Sequence, residues 1–220
     1  SINTLSRMEL SRISLGIQDF DENVQQAINR IQPFDHVKRN VEDIRSAGIE
    51  HINFDLITGL PQQTLDTVNT TLDKTIELMP NRIAVFPYAH VPWMKPHQKL
   101  LEKFKMPDSF DRFKMNMLVE ERLTQAGYKM VGIDHFVRED DSLYRMQRAG
   151  TLRRNFQGYT DDTSDYLIGM GLSSISSLND MYAQNTTDSP TYQNMVKNGE
   201  LPLKRGLVLS AEDMQRRKLI

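Results

Sequence analysis

The sequence predicts an α/β fold built around a parallel sheet, and three stretches carry that expectation. They run from Arg12 to Phe20, from His51 to Pro61 and from Arg82 to His90. Each is a short, apolar, β-branched run that gives way to polar residues or a turn breaker. A longer segment with helical periodicity follows each one. The interval of roughly 30 to 40 residues is that of a strand plus a crossover helix, which places the strands parallel in one sheet.

The elements are then expected in this order. Thr4 to Leu10 reads as the end of a helix entering the first strand. Asp21 opens a helix with acidic residues in its first turn, favourable to the helix dipole, running to about Arg30. Pro33 and Asp35 begin another from Val37 to Ala47, with Val37, Val41 and Ile44 as its apolar stripe and Gly48 at the left-handed cap. After the second strand a helix from Thr64 to Met79 carries Leu65, Val68, Leu72, Ile76 and Met79 on one face. Pro87, Pro92 and Pro96 crowd the region beyond the third strand, so Val91 to Leu100 reads as an irregular loop or lid.

A long helix over residues 108–125 should pack through Phe110, Phe113, Met117, Val119 and Leu123, and Tyr128 to Asp134 reads as a fourth strand. Residues 137–165 are polar and turn-rich, a length usually tied to function or disorder. Tyr166 to Leu178 reads as a buried strand or close-packed turn, and a helix is expected from Ser189 to Lys197. Ser210-Ala-Glu-Asp resembles a capping box opening a last helix. The expected organisation is residues 1–136 as βα units, 137–209 as an extension, and 210–220 as the start of a helical domain. Both ends read as cut from something longer.

Composition narrows the function classes. Lys plus Arg number 27 against 29 Asp plus Glu, so the overall charge gives no reason to expect nucleic acid or an anionic membrane. No apolar window is long enough to span a bilayer, and no signal-peptide pattern opens the chain, which reads as a cytoplasmic protein. There are no cysteines, so no disulfide, thiolate nucleophile or cysteine-held metal lies within these residues. The five histidines show no paired-ligand spacing, and no metal site is expected.

Ligands of parallel α/β sheets collect at the carboxyl ends of strands, which makes Gln18, Asp55 and the Tyr88-Ala89-His90 tip expected neighbours. Each could also simply bond its own turn. Asp55 stands in the apolar sequence Ile52-Asn-Phe-Asp-Leu-Ile57 and must be paired or ligand-bound to escape desolvation. Arg30 either complements a helix dipole or grips a carboxylate with its planar fork. Gly169-Met-Gly171 lacks the third glycine of a dinucleotide fingerprint and the lysine of a P-loop, so it reads as close backbone approach, to a ligand ring or within the core. Asp134-His135 is an acid/base pair or a structural one. Arg153, Arg154, Phe156 and Tyr159 either bind a planar anion or tie down a loop.

Six segments together resemble a known family. They are Ile13 to Phe20, Asn53 to Pro61, Tyr88-Ala-His90, Gly132-Ile-Asp-His-Phe136, Arg154 to Thr160 and Gly169 to Ser176. They resemble the oxygen-independent coproporphyrinogen III oxidases, radical S-adenosylmethionine (SAM) enzymes of haem and porphyrin synthesis. The first two are shared with haem chaperones of the same superfamily, which bind without decarboxylating. The Asp-His-Phe and Arg154 to Thr160 segments favour the oxidase.

The resemblance implies a partial TIM-like (β/α) barrel with parallel strands, open on one edge, whose first strands and three-cysteine [4Fe-4S] motif lie upstream of Ser1. It implies two SAM molecules per active site and an electron donor for the cluster. Coproporphyrinogen III is then the substrate, two propionates being oxidatively decarboxylated to vinyls to give protoporphyrinogen IX in a monomeric enzyme. Carried over residue by residue, Gln18, Arg30 and Asp55 match positions that bind SAM, with Arg30 suited to the methionine carboxylate. Ala89 and Ile175 match positions lining a second SAM. The resemblance implies no need for His90 or His135 as general acids, so neither is taken as catalytic. Arg153 or Arg154 could bind a substrate carboxylate. The chain alone is expected to be inactive, since it holds no cluster ligands.

Overall fold

The computed structural model describes residues 10–156 and 158–217. The helix end expected from Thr4 lies, apart from Leu10, outside them. Contacts divide the chain between Leu152 and Arg153 into two compact units.

The first unit is organised by a sheet of β1 (Arg12–Gln18), β2 (His51–Thr58), β3 (Arg82–Pro87), β4 (Lys129–Val131) and β5 (His135–Val137), in the order β1-β2-β3-β5-β4. β1, β2 and β3 are parallel, as their spacing requires. Helices α1 (Glu22–Ala27) and α2 (Phe34–Ser46) lead from β1 to β2, and α3 (Leu65–Leu78) leads to β3. A 3-10 helix (Pro96–Leu101) and α4 (Ser109–Gln125) follow, and α5 (Ser142–Arg148) comes after β5. The sheet is open, with β1 and β4 as its edges.

The run from Tyr128 to Asp134 does not make a fourth parallel strand. Gly132, at φ 62°, reverses the chain after Val131, so the segment becomes the β4–β5 hairpin. β5 then lies antiparallel against β3. Residues 137–152 stay with this sheet because the buried Arg82 Nε bonds Asp141 Oδ2 at 2.8 Å. Gln147 also donates to Met130 O and accepts from Gly132 N.

Local signals account for the helix ends. Asp21 accepts from the backbone N–H groups of Asn23 and Val24, and Thr64 forms a reciprocal capping box with Thr67. The first helix ends at Ala27, before Arg30. α2 buries Val37, Val41 and Ile44 as its spacing dictates, and Gly48 follows its cap at φ 84°. Two expected stripes differ. In α3 the buried face is Val68, Thr71, Leu72, Thr75 and Leu78, with Leu65 and Met79 exposed. In α4 it is Met115, Val119 and Leu123, while Phe110, Phe113 and Met117 face outward. The Val91 to Leu100 stretch is also more regular than its prolines suggest. Pro96 occupies the first turn of the 3-10 helix, where a missing N–H costs nothing.

Strand alternation gives the sheet two chemically different faces. Ile52, Phe54 and Leu56 of β2, with Ile83 and Val85 of β3, pack into the core beneath the helices. Ser14, Gly16, Asn53, Asp55, Arg82, Ala84 and His135 occupy the opposite face.

A buried carboxylate fastens the carboxyl ends of β1 and β2 to α3. Asp19 Oδ1 accepts from Thr71 Oγ1 at 2.9 Å and from Asp21 N at 2.6 Å, and Oδ2 accepts from Gln63 Nε2 at 2.6 Å. Gln63 also donates to Ile57 O and accepts from Leu60 N, while Phe20 N donates to Thr71 Oγ1. Burial pushes the Asp19 carboxyl up from its ordinary range, and the Asp21, Gln63 and Thr71 bonds pull it back.

In the second unit, β6 (Arg153–Asn155) and β7 (Gly158–Thr160) form a hairpin. β8 (Ile175–Ser177), β9 (Met181–Asn185) and β10 (Leu203–Val208) form an antiparallel sheet in the order β10-β9-β8, with helices α6 (Ser189–Lys197) and α7 (Ala211–Arg217). Phe156 meets Tyr182 edge to face at 6.1 Å, joining hairpin to sheet. The apolar run Tyr166 to Leu178 is not a buried strand: Tyr166, Ile168 and Met170 are exposed, and strand structure is confined to its end. The capping box at Ser210 forms, with Ser210 N donating to Asp213 Oδ2 and Asp213 N to Ser210 Oγ.

Replacing Thr71 by Val keeps shape but leaves the buried Phe20 N–H and Asp19 Oδ1 each short of a partner. Urea unfolding should show a loss of about 1–3 kcal/mol, with Thr71→Ser close to wild type.

Candidate SAM-binding site

The site forms around a missing side chain. Gly16 pairs with Asp55 across β1 and β2, and a Cβ placed on it would lie 2.7 Å from Gln18 Nε2 and 3.2 Å from Arg30 Nη2. The amide and the guanidinium therefore converge over a bare backbone position beside a carboxylate.

Each group arrives by a different local device. Gln18 ends β1 at φ 69°, a conformation that costs a non-glycine residue about 1–2 kcal/mol and marks functional sites. A register shift between Gly16 and Gln18 accompanies it. Arg30 follows α1, where Asn29 at φ 54° turns the chain and Arg30 N returns to Gln25 O. Its Nη2 donates to Gly16 O at 2.7 Å. Gln32, with its oxygen turned towards the guanidinium, accepts from Arg30 Nε at 2.9 Å and Nη2 at 3.0 Å. The exposed Arg30 thus points at the strand tip and keeps further donors for an anion.

Asp55 does not terminate its strand; it sits three residues before the end of β2. Its place in an apolar sequence is resolved by alternation, because Phe54 and Leu56 are buried on one face while Asp55 is half-buried on the other. Burial pushes its carboxyl up; a 2.9 Å bond from Asn53 Nδ2 and the charge of His135 pull it back. Asp55, Ala84 and His135 form one cross-strand row, and His135 Nδ1 lies 2.6 Å from Asp134 Oδ1.

Gln18 and Arg30 thus meet at Gly16, and Asp55 is the residue paired with Gly16 across the strands. Ala89 and His90 lie on the segment beyond β3. Ala89 is exposed, with its carbonyl accepting from Gln98 Nε2 at 3.1 Å, and His90 stands between Tyr88 Oη and Glu102 Oε1.

In the second unit, Arg153 and Arg154 lie on the β6–β7 hairpin, with Arg154 over the Tyr159 ring at 5.3 Å. Ile175 opens β8. The close approach expected at Gly169 is to Ile175 itself: a Cβ on Gly169 would lie 2.7 Å from the Ile175 carbonyl carbon. Asn185 Nδ2 holds the loop by donating to Gly169 O at 3.2 Å and Gly171 O at 2.9 Å.

Three contributors escaped the sequence reading. Gly16 was legible as a glycine interrupting a β-branched strand. Asp19 and Asn53 were masked by stronger neighbours, although Thr71 in the apolar face of α3 points to a buried polar partner.

Comparison with known proteins gives a consistent picture. Residues 1–75 match the Radical SAM superfamily model. The chain is 44% identical over 212 residues to the oxygen-independent coproporphyrinogen III oxidase of Cereibacter sphaeroides, covering 96% of this chain and 47% of that protein. The Synechocystis protein of the same name is 44% identical over 219 residues, covering 100% of this chain and 47% of the relative. Among solved structures, coproporphyrinogen III oxidase from Escherichia coli, described as a radical SAM enzyme, superposes with a TM-score of 0.84 at 37% identity, over 100% of this chain and 51% of that one. The chain spans about half the length of the curated relatives it matches. The chain is thus similar to the radical SAM superfamily over its first third and to the oxygen-independent coproporphyrinogen III oxidases over about half of their length.

Proposed function

We propose that this chain supplies the SAM-binding part of an anaerobic coproporphyrinogen III oxidase, with Gln18, Arg30 and Asp55 holding SAM over Gly16. The convergence of the Gln18 amide and the Arg30 guanidinium on one bare strand position, with Asp55 as its cross-strand partner, carries the reading. The chemistry fits: SAM offers a carboxylate suited to Arg30, and ribose and amino donors suited to Asp55 and the Gln18 amide oxygen. Gly16 leaves the space that a close-approaching nucleoside requires.

A [4Fe-4S] cluster does not fit this chain, which contains no cysteine. Among the described residues no group of three His, Cys, Asp or Glu could hold a metal. The cluster ligands are assigned to a three-cysteine segment outside the sequence, and the chain by itself is assigned no activity. In the full-length protein SAM and the cluster would together supply hydrogen-atom abstraction, and the proposed net change is two propionates to two vinyls, each with loss of a β-hydrogen atom, carbon dioxide and one electron to an acceptor.

The residues of this chain bind and orient. Arg30 fixes the anionic end of SAM, while Gln18 and Asp55 fix its polar body. Ala89 and Ile175 are proposed contacts of a second SAM molecule. Arg153 and Arg154 are proposed partners of substrate carboxylates. The reading also assigns an electron donor, a monomeric state and a cytoplasmic setting. No helix among the described residues is long and apolar enough to cross a membrane.

Anaerobic incubation of the full-length, cluster-loaded protein with coproporphyrinogen III, SAM and a reductant tests the function. Protoporphyrinogen IX is the expected product; tight tetrapyrrole binding without decarboxylation would reassign the protein to a haem chaperone.

Three substitutions test the assignments. Gly16→Ala displaces only the ends of two flexible side chains, so the thermal midpoint should stay near wild type while SAM Kd rises about tenfold. Arg153→Ala and Arg154→Ala should each raise the Kd for coproporphyrinogen III with SAM affinity unchanged. Unaltered substrate binding in both would remove them from the site.

A further inference from the structure

Asn53 lies two residues before Asp55 on β2 and on the same face of the sheet. Its Nδ2 donates to Asp55 Oδ1 at 2.9 Å and more weakly to Ser14 Oγ at 3.4 Å. Its Oδ1 is buried and accepts from no described residue. An unsatisfied buried acceptor is costly, so something must hold the amide this way round. Rotating it would set Oδ1 against Asp55 Oδ1, acceptor against acceptor. The carboxylate therefore dictates the orientation, and the bond between them is charge-assisted.

The same bond has a consequence for Asp55. With Oδ1 occupied by Asn53, Asp55 Oδ2 accepts from no described residue. One carboxylate oxygen is held by the protein, on the sheet face where Asp55 pairs with Gly16 across the strands.

We infer that Asn53 is a positioning residue for the SAM site: it fixes the Asp55 carboxylate through Oδ1 so that Oδ2 is aimed at a hydrogen-bond donor of the ligand. This rests on the reading that Asp55 contacts SAM. Other charged groups on this side are Arg30 against the Gly16 carbonyl, Arg82 paired with Asp141, and His135 paired with Asp134. Asn53 bonds the Asp55 carboxylate directly, and the charge of His135 also acts on it.

The test uses the full-length protein and two readouts. Isotope-edited infrared titration of 13C-labelled aspartates, with the Asp55 band assigned by its loss in Asp55→Asn, reports on the carboxyl without SAM. In Asn53→Ala, Asp55 should titrate at higher pH than in wild type, because a bond to its charged form is gone. Asn53→Thr, a strand-compatible second variant, should shift it in the same direction. SAM Kd should rise about fivefold to tenfold in Asn53→Ala, and the increase should vanish when Asp55 is already Ala, as expected for coupled residues. An unmoved Asp55 titration, or an equal loss of SAM affinity with and without Asp55, overturns the inference. If Asp55→Ala leaves SAM affinity unchanged, the SAM reading of Asp55 fails, and the titration still decides whether Asn53 holds it.

Discussion

The buried Asp19 carboxylate is the contact on which the rest of the first unit depends. It has 0% exposure and ties the end of β1 to the loop after β2 through Gln63 and to α3 through Thr71. A carboxylate so placed tolerates burial only because donors surround it. Gln18 directly precedes Asp19, so anchoring one fixes the other in its positive-φ conformation. Without that anchor the Gln18 amide would have no reason to remain folded over Gly16.

Above this anchor, the period-two alternation of three parallel strands sorts the chemistry. One face is closed by helices α2, α3 and α4 and filled with Ile, Val, Leu and Phe. The other keeps Asn53, Asp55, Arg82 and His135 in contact with one another or their neighbours. The site is where this polar face meets the strand ends, and its groups come from β1, the turn after α1, and β2. A glycine at its centre lets side chains from separate elements meet without a competing Cβ.

Much of this was legible in the sequence. The three parallel strands, the cap at Asp21, the α2 stripe and Gly48 followed from patterns that act locally, within a turn or along a strand. Gln18, Asp55 and Arg30 stood out from strand ends, apolar context and charge, and the family resemblance added their SAM role; Gly16 is where the Gln18 amide and the Arg30 guanidinium meet. What was not legible depends on distant partners. The β4–β5 reversal hides inside a continuous apolar run, since Gly132 alone does not distinguish a bulge from a turn. The α4 stripe failed because it interleaves two apolar faces, Met115–Val119–Leu123 and Phe110–Phe113–Met117, and only packing on the sheet selects the first. Asp55 looked buried in an apolar context because a one-dimensional reading does not separate the two faces of β2. Asp19 and Asn53 act through residues dozens of positions away or through the opposite lone pair of a neighbour, and spacing carries neither.

The central claim is that SAM is held over Gly16 by Gln18, Arg30 and Asp55. A crystal structure of the full-length protein with SAM bound tests it most directly. The account predicts ligand density against the Gly16 backbone, with Arg30 and Asp55 Oδ2 within hydrogen-bond distance of it. SAM bound elsewhere, with those two side chains contacting only protein or solvent, would contradict it.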